Sequence, residues 1–295
     1  MQSLTHQISI SAKMALDAEG ISADIRRAYI SKKMALASVA IVVAPPLGGI
    51  LVANFGPRIS LFAMVGLSAV VAVLLSFIAK PSSPGDAEKA EGSGVAASLR
   101  HLVALPQTAA VVTVFCLISV ILEVQAPLLF PFVKEVYAAK SDFTGLLLGL
   151  AGFGGIVGAI LAERFPTRFT EHTIPWLGIA DGAIFLLFTQ LRDPIVASIL
   201  FTTLGMMGAV TLIIVEGVVQ KDVGSAHRPF VFSLMQFAGG AGGASLGILA
   251  AFLAGTYGAK TVLAAAAGTE IIFGSLCLVG GYALWRGTTS MNKAG

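Results

Sequence analysis

Apolar residues run through this chain in long uninterrupted blocks. Runs long enough to cross about 30 Å of hydrocarbon as a helix fall at residues 34–54, 59–79, 108–133, 143–162, 174–190, 194–219, 229–254 and 261–285, which predicts eight spans. The pattern breaks at 80–107. That stretch opens "KPSSPGDAEKAEGSG", and its Pro, Gly, Ser and charge can bury too little surface to fold, so it predicts a flexible linker between two helices and six. The first 33 residues carry three acidic and five basic side chains and are too polar to span. They lack the apolar core and small-residue cleavage site of a signal peptide, and Asp17, Glu19 and Asp24 argue against a mitochondrial presequence.

Composition agrees with the blocks: 56% of the 295 residues are hydrophobic and 12% charged, with a mean hydropathy of +0.87. This is an all-α integral membrane protein, not a soluble domain. The 19 Lys and Arg set its orientation, because loops on the cytoplasmic side retain positive charge. With the amino terminus inside, 14 of them fall in inner segments and five (Arg58, Lys134, Lys140, Arg192, Lys260) in outer loops, so both ends, including the tail 286–295, are expected in the cytoplasm. A net charge of +3 makes no basic patch and implies no nucleic-acid partner. Cys116 and Cys277 lie in apolar spans and read as small hydrophobes. The four histidines, His6, His101, His172 and His227, lack metal-ligand spacing, and no phosphate loop or nucleophile elbow is present, so no enzyme, metal or cofactor is expected.

Within the spans, "LGGILVANFGPRISLF" from Leu47 is echoed by "LGILAAFLAGTYGAKTVL" from Leu246. Each has a mid-helix Leu-Gly, small apolar residues, then Gly-x-Arg or Gly-x-Lys at the outer turn. The echo pairs the first helix with the seventh, and parallel repetition of a six-helix unit is a known transporter plan. "APPLGGIL", Ala44 to Leu51, resembles the Gly-Pro-x-x-Gly-Gly signature in the fifth helix of proton-coupled drug antiporters of the major facilitator superfamily, with Ala44 in place of the first glycine. "AILAERFPTR", residues 159–168, is similar to that superfamily's Gly-x-Leu-Ala-Asp-Arg-x-Gly-Arg-Arg loop. Glu163 takes the acidic position, Arg164 and Arg168 two basic ones, while Ala159, Pro166 and Thr167 depart from it.

The resemblance implies the fifth to twelfth helices of a twelve-helix bundle: the end of an amino half at 34–79 and a complete carboxyl half at 108–285. It implies that Ala44, Pro45, Pro46, Gly48 and Gly49 form a hinge and half-to-half contact. An ordinary small-residue packing seam has the same geometry, and Gly239, Gly243 and Gly247, like Gly154 with Gly158, have its spacing of four. Glu163, Arg164 and Arg168 would form a cytoplasmic charge clasp.

The eight spans contain no Lys or Arg but four carboxylates, Glu123, Asp181, Glu216 and Glu270, each expensive in hydrocarbon. Glu216, near a helix end, reads as a solvated interfacial group. Asp181 and Glu270 are mid-span, on helices that the resemblance makes peripheral, and each is expected to hydrogen-bond a neighbouring helix. Ser119, Glu123 and Pro127 share one helical face. By resemblance that helix lines the central cavity, so Glu123 is a candidate for proton coupling or substrate contact, against the alternative of a protonated, hydrogen-bonded carboxyl. Gln125 points elsewhere, toward a partner on another helix. Thr203, Met207 and Thr211 form a mixed face that would suit a lipophilic substrate or pack against a neighbour.

The expected function is proton-coupled export of a small lipophilic molecule by alternating access, with protons, substrate and lipid as partners and the cell membrane as the site. Export or uptake of another small solute on the same fold is one alternative. A second is a non-transporting remnant or regulatory membrane partner, because the expected front half is incomplete; an oligomer, or helices supplied in trans, would complete it.

Overall fold

The computed structural model describes residues 23–78, 94–137, 141–166 and 169–291. Among them every regular element is helical. The helices are α1 (Ala23–Ile78), α2 (Val95–Val103), α3 (Pro106–Tyr137), α4 (Ser141–Arg164), α5 (Ile174–Gln190), α6 (Pro194–Asp222), α7 (Arg228–Phe237), α8 (Gly243–Tyr257) and α9 (Ala259–Met291). Six stretches are long and apolar enough to cross a membrane: Pro106–Tyr137, Phe143–Arg164, Glu171–Gln190, Pro194–Asp222, Ser225–Tyr257 and Ala259–Val279. They overlap the expected third to eighth spans. In lipid each backbone polar group must be satisfied within its own segment, and helices do this.

Local chemistry sets the boundaries. At the start of α6, the Asp193 carboxylate accepts from the backbone N–H of Ile195 at 2.8 Å and Val196 at 3.1 Å, with Pro194 occupying the first turn. The two expected amino-terminal spans are the arms of α1, which meet at Gly56, where φ is 77° and ψ 165°. Gly258, between α8 and α9, has φ 83° and ψ 148°. These are the echoed glycines of Gly-Pro-Arg and Gly-Ala-Lys, so the internal repeat is also a repeat of backbone conformation. Both angles lie where a side chain is penalised and glycine is not.

Helical φ/ψ continues through Ala44, Pro45, Pro46, Gly48 and Gly49. The last third of the expected linker is ordered differently from a flexible chain. Residues 95–103 form α2, whose Ser98 and Leu102 are buried, with Ser98 Oγ 3.0 Å from His227 Nδ1 and the His101 and His227 rings stacked at 4.4 Å. An amphipathic helix buries enough apolar surface to order this part of the expected linker, whose residues 80–93 lie outside the described residues.

Two apolar clusters fill the bundle. Toward the end that carries Lys33, Arg100, Arg164 and Lys221, here the basic end, Ile30, Leu102, Val112, Ile213, Val219 and Phe232 pack together. Toward the other end the core is aromatic: Phe188 meets Phe132 at 5.2 Å and, edge-on, Phe201 at 4.8 Å. Glycines bring the helices close. A Cβ on Gly154 or Gly158 of α4 would strike the α6 backbone at Thr202 or Met206, and one on Gly155 would stand 2.5 Å from Ser38 Oγ of α1. The small-residue seam expected for Gly154 and Gly158 is therefore the α4–α6 contact.

Candidate functional site

Glu123 lies in the middle of α3, exposed on the bundle's surface. Pro127, four residues on, has no N–H, so the Glu123 carbonyl loses its helical partner. The helix answering this face is glycine-rich. A Cβ on Gly243 would collide with the Glu123 side chain, one on Gly247 would stand 3.6 Å from the Glu123 carbonyl oxygen, and one on Gly239 would be 3.4 Å from Ser119 Cβ. Gly239, Gly243 and Gly247 thus let α8 and its approach press against the acidic face of α3.

That approach, Ala238–Gly242, is a π-helical segment of sequence AGGAG. Such segments recur at functional sites. The apolar run predicts one regular helix over 229–254, and its five-residue stretch of glycine and alanine is the signal for a weak point in it.

Ser119 lines a cavity of about 40 Å3 together with Asp181, Gly208 and Thr211. Met207 and Thr211 are buried, while Thr203 is half-buried with its hydroxyl donating to the Ile199 carbonyl at 2.9 Å. So structure divides this mixed face, with Met207 and Thr211 packed inside and Thr203 satisfied by its own helix.

The other carboxylates are buried within the bundle. Glu216 is not a solvated cap: it is fully buried, and Lys33 Nζ of α1 stands 2.8 Å from its Oε2. Position near a helix end suggested water; instead α1 covers that end and brings a cation. Asp181 of α5 and Glu270 of α9 are 8% and 1% exposed, and their carboxyls face each other within hydrogen-bonding reach. The expected bond to a neighbouring helix is a meeting of two acids. Gln125, 3% exposed, finds no partner among the described residues for its amide oxygen or nitrogen, so the expected interhelical bond is not formed there. Glu163 and Arg164 are exposed at the basic end of α4, whereas Arg168 lies outside the described residues. Cys116 and Cys277 are free thiols.

A bundle of apolar helices with close glycine contacts and carboxylates held at span depth is the architecture of a polytopic membrane protein that handles ions or solutes. The sequence matches the profile of the Major Facilitator Superfamily over residues 1–247. A tetracycline resistance protein, class D, from Salmonella ordonez is 23% identical over 223 residues, which cover 75% of this chain and 55% of that protein. The chain therefore spans about half the length of this curated relative. It belongs to the Major Facilitator Superfamily, a family of membrane transporters.

Proposed function

We propose that this protein exports a small lipophilic molecule across the plasma membrane in exchange for protons, by alternating access. The observation that carries the reading is Glu123: an acid exposed on the bundle at mid-span, beside a carbonyl freed by Pro127 and opposite three glycines. Hydrocarbon would not tolerate that face, so it borders water or further protein. There a carboxyl can take up a proton or meet a substrate, but not both at once. The similarity to a tetracycline resistance protein supports export of an amphiphile of that kind.

Ser119, one turn before Glu123 on this face, would contact the substrate, and Thr203 and Met207 of α6 would do so when the helices part, since Met207 is packed inside the bundle in this conformation. The distribution of Lys and Arg supports a cytoplasmic position for both chain ends. There Glu163 and Arg164, with Arg168, would form a charge clasp that favours one conformation, and Ala44 to Gly49 would serve as the hinge between halves. The test is tetracycline accumulation in everted vesicles under an imposed pH gradient. Glu123→Gln is expected to abolish gradient-driven accumulation while tetracycline still binds; accumulation at the wild-type rate would refute the assignment.

A further inference from the structure

The carboxyls of Asp181 and Glu270 meet between α5 and α9 with no donor to hold them. Gly182, next to Asp181, makes the approach possible: a Cβ there would stand 2.8 Å from the Ala267 carbonyl oxygen and 3.1 Å from Glu270 Cβ. Asp181 Oδ2 and both Glu270 carboxyl oxygens are buried and, among the described residues, receive no hydrogen bond from any N–H or O–H. Two carboxylates are acceptors only, so a hydrogen bond between them requires a proton carried by one. Without it, two like charges would sit side by side in a low-dielectric interior.

No cation offers an alternative. Among the residues with described side chains, the titratable groups on the elements packed around the pair are Cys116, Glu123, Lys134, Glu135 and Tyr137 of α3, Glu216, Lys221 and Asp222 of α6, Tyr257 of α8, and Lys260 and Cys277 of α9, with every lysine at a helix end. Two further observations point to an exchangeable ligand. Gln125 lies seven residues beyond Ile118 on the same face of α3, the face that meets Gly178 of α5, and its buried amide has no partner. Asp181 also opens onto the 40 Å3 cavity shared with Ser119 and Thr211, which is large enough for a water molecule.

We propose that Asp181 and Glu270 form one proton-binding site. One proton stays held between the two carboxyls, and a second exchanges, through water in that cavity, with the face of α3 that carries Ser119 and Glu123. In the transfer the O–H bond of the second proton on one carboxyl breaks as an O–H bond to the cavity water forms, and that proton passes on toward Glu123 while the first remains shared between the carboxyls; the pair is reloaded by the reverse step. This site rests on the proton-exchange reading above and gives it a second, interior station.

The test is infrared difference spectroscopy of the full-length protein in lipid, comparing acid with alkaline medium and H2O with D2O. Wild type is expected to show a protonated-carboxyl band that responds to both changes. In a Glu123→Gln background, which removes any band from that carboxyl, the band is expected to remain, and there Asp181→Asn and Glu270→Gln, which keep size and supply a donor, are each expected to lose it. The double variant Asp181→Asn/Glu270→Gln should fold and also lack the band, so misfolding cannot mimic the result. A band absent from wild type, unresponsive to the medium, or retained in both single variants would overturn the site, as would a sodium-dependent change in its place. Because the readout is spectroscopic, failure of gradient-driven transport would leave this result standing, and the reverse also holds.

Discussion

The contact between α4 and α6 can be tested at atomic level by adding one methyl group. An alanine at Gly154 would put its Cβ 2.8 Å from the Thr202 carbonyl carbon and 2.9 Å from the Met206 nitrogen, and would collide with the Thr202 oxygen. Unstrained contacts lie at about 3.5–4.0 Å, so the helices must part by roughly 1 Å or twist. Overpacking of that kind costs about 1–3 kcal/mol, and in lipid no hydrophobic force drives the helices back together. Alanine returns about 0.5–1 kcal/mol through helix propensity. The net expectation for Gly154→Ala is a loss of about 1–2 kcal/mol, with Gly205→Ala similar because its Cβ would strike Ala151 across the same seam. Gly145 is the internal control: it lies on the same helix with nothing within 4 Å of an added Cβ, so Gly145→Ala should be neutral or slightly stabilising. Reversible denaturant titration in mild detergent, followed by helical circular dichroism, measures all three. If Gly154→Ala unfolds at the same midpoint as Gly145→Ala, glycine is not what sets the distance between these helices.

Removing Lys33 takes the cation from a fully buried carboxylate. Breaking a buried pair costs about 3–5 kcal/mol, and since the Lys33 side chain is itself 18% exposed, Lys33→Met is expected at about 2–3 kcal/mol. The double variant Lys33→Met/Glu216→Gln should recover most of the loss in the same titration, and an additive double variant would show that the two side chains do not interact. Gly56→Ala and Gly258→Ala should each cost about 1–2 kcal/mol, since a side chain is penalised at their positive φ. Equal midpoints for these variants and wild type would remove the argument for a glycine-dependent joint.

The spans were legible because lipid forces both length and composition on a helix, and each apolar run had to be one. The glycine seams were legible too: spacings of four at Gly154 and Gly158, and at Gly239, Gly243 and Gly247, mark a narrow face wherever the helix lies. Partners were not. Nothing local to Glu216 signals that Lys33, 183 residues away, will cover it, since that depends on which helices become neighbours. The same is true of Asp181 and Glu270, which lie on helices that are not consecutive. Sequence placed each carboxylate at its depth in the membrane; only packing says whether it meets water, a lysine or another acid.

Each echoed joint, Gly56 and Gly258, consists of a single non-helical residue between two helices. A joint that short has no slack. The two helices at such a joint cannot change their mutual angle freely without distorting helix backbone, so α8 and α9, which pack against each other, travel as one stiff lever. Bending has to be taken up where the helix is already loosened, and between the lever formed by α8 and α9 and the rest of the bundle that place is the π-helical run Ala238–Gly242 beside Ser119 and Val120 of α3.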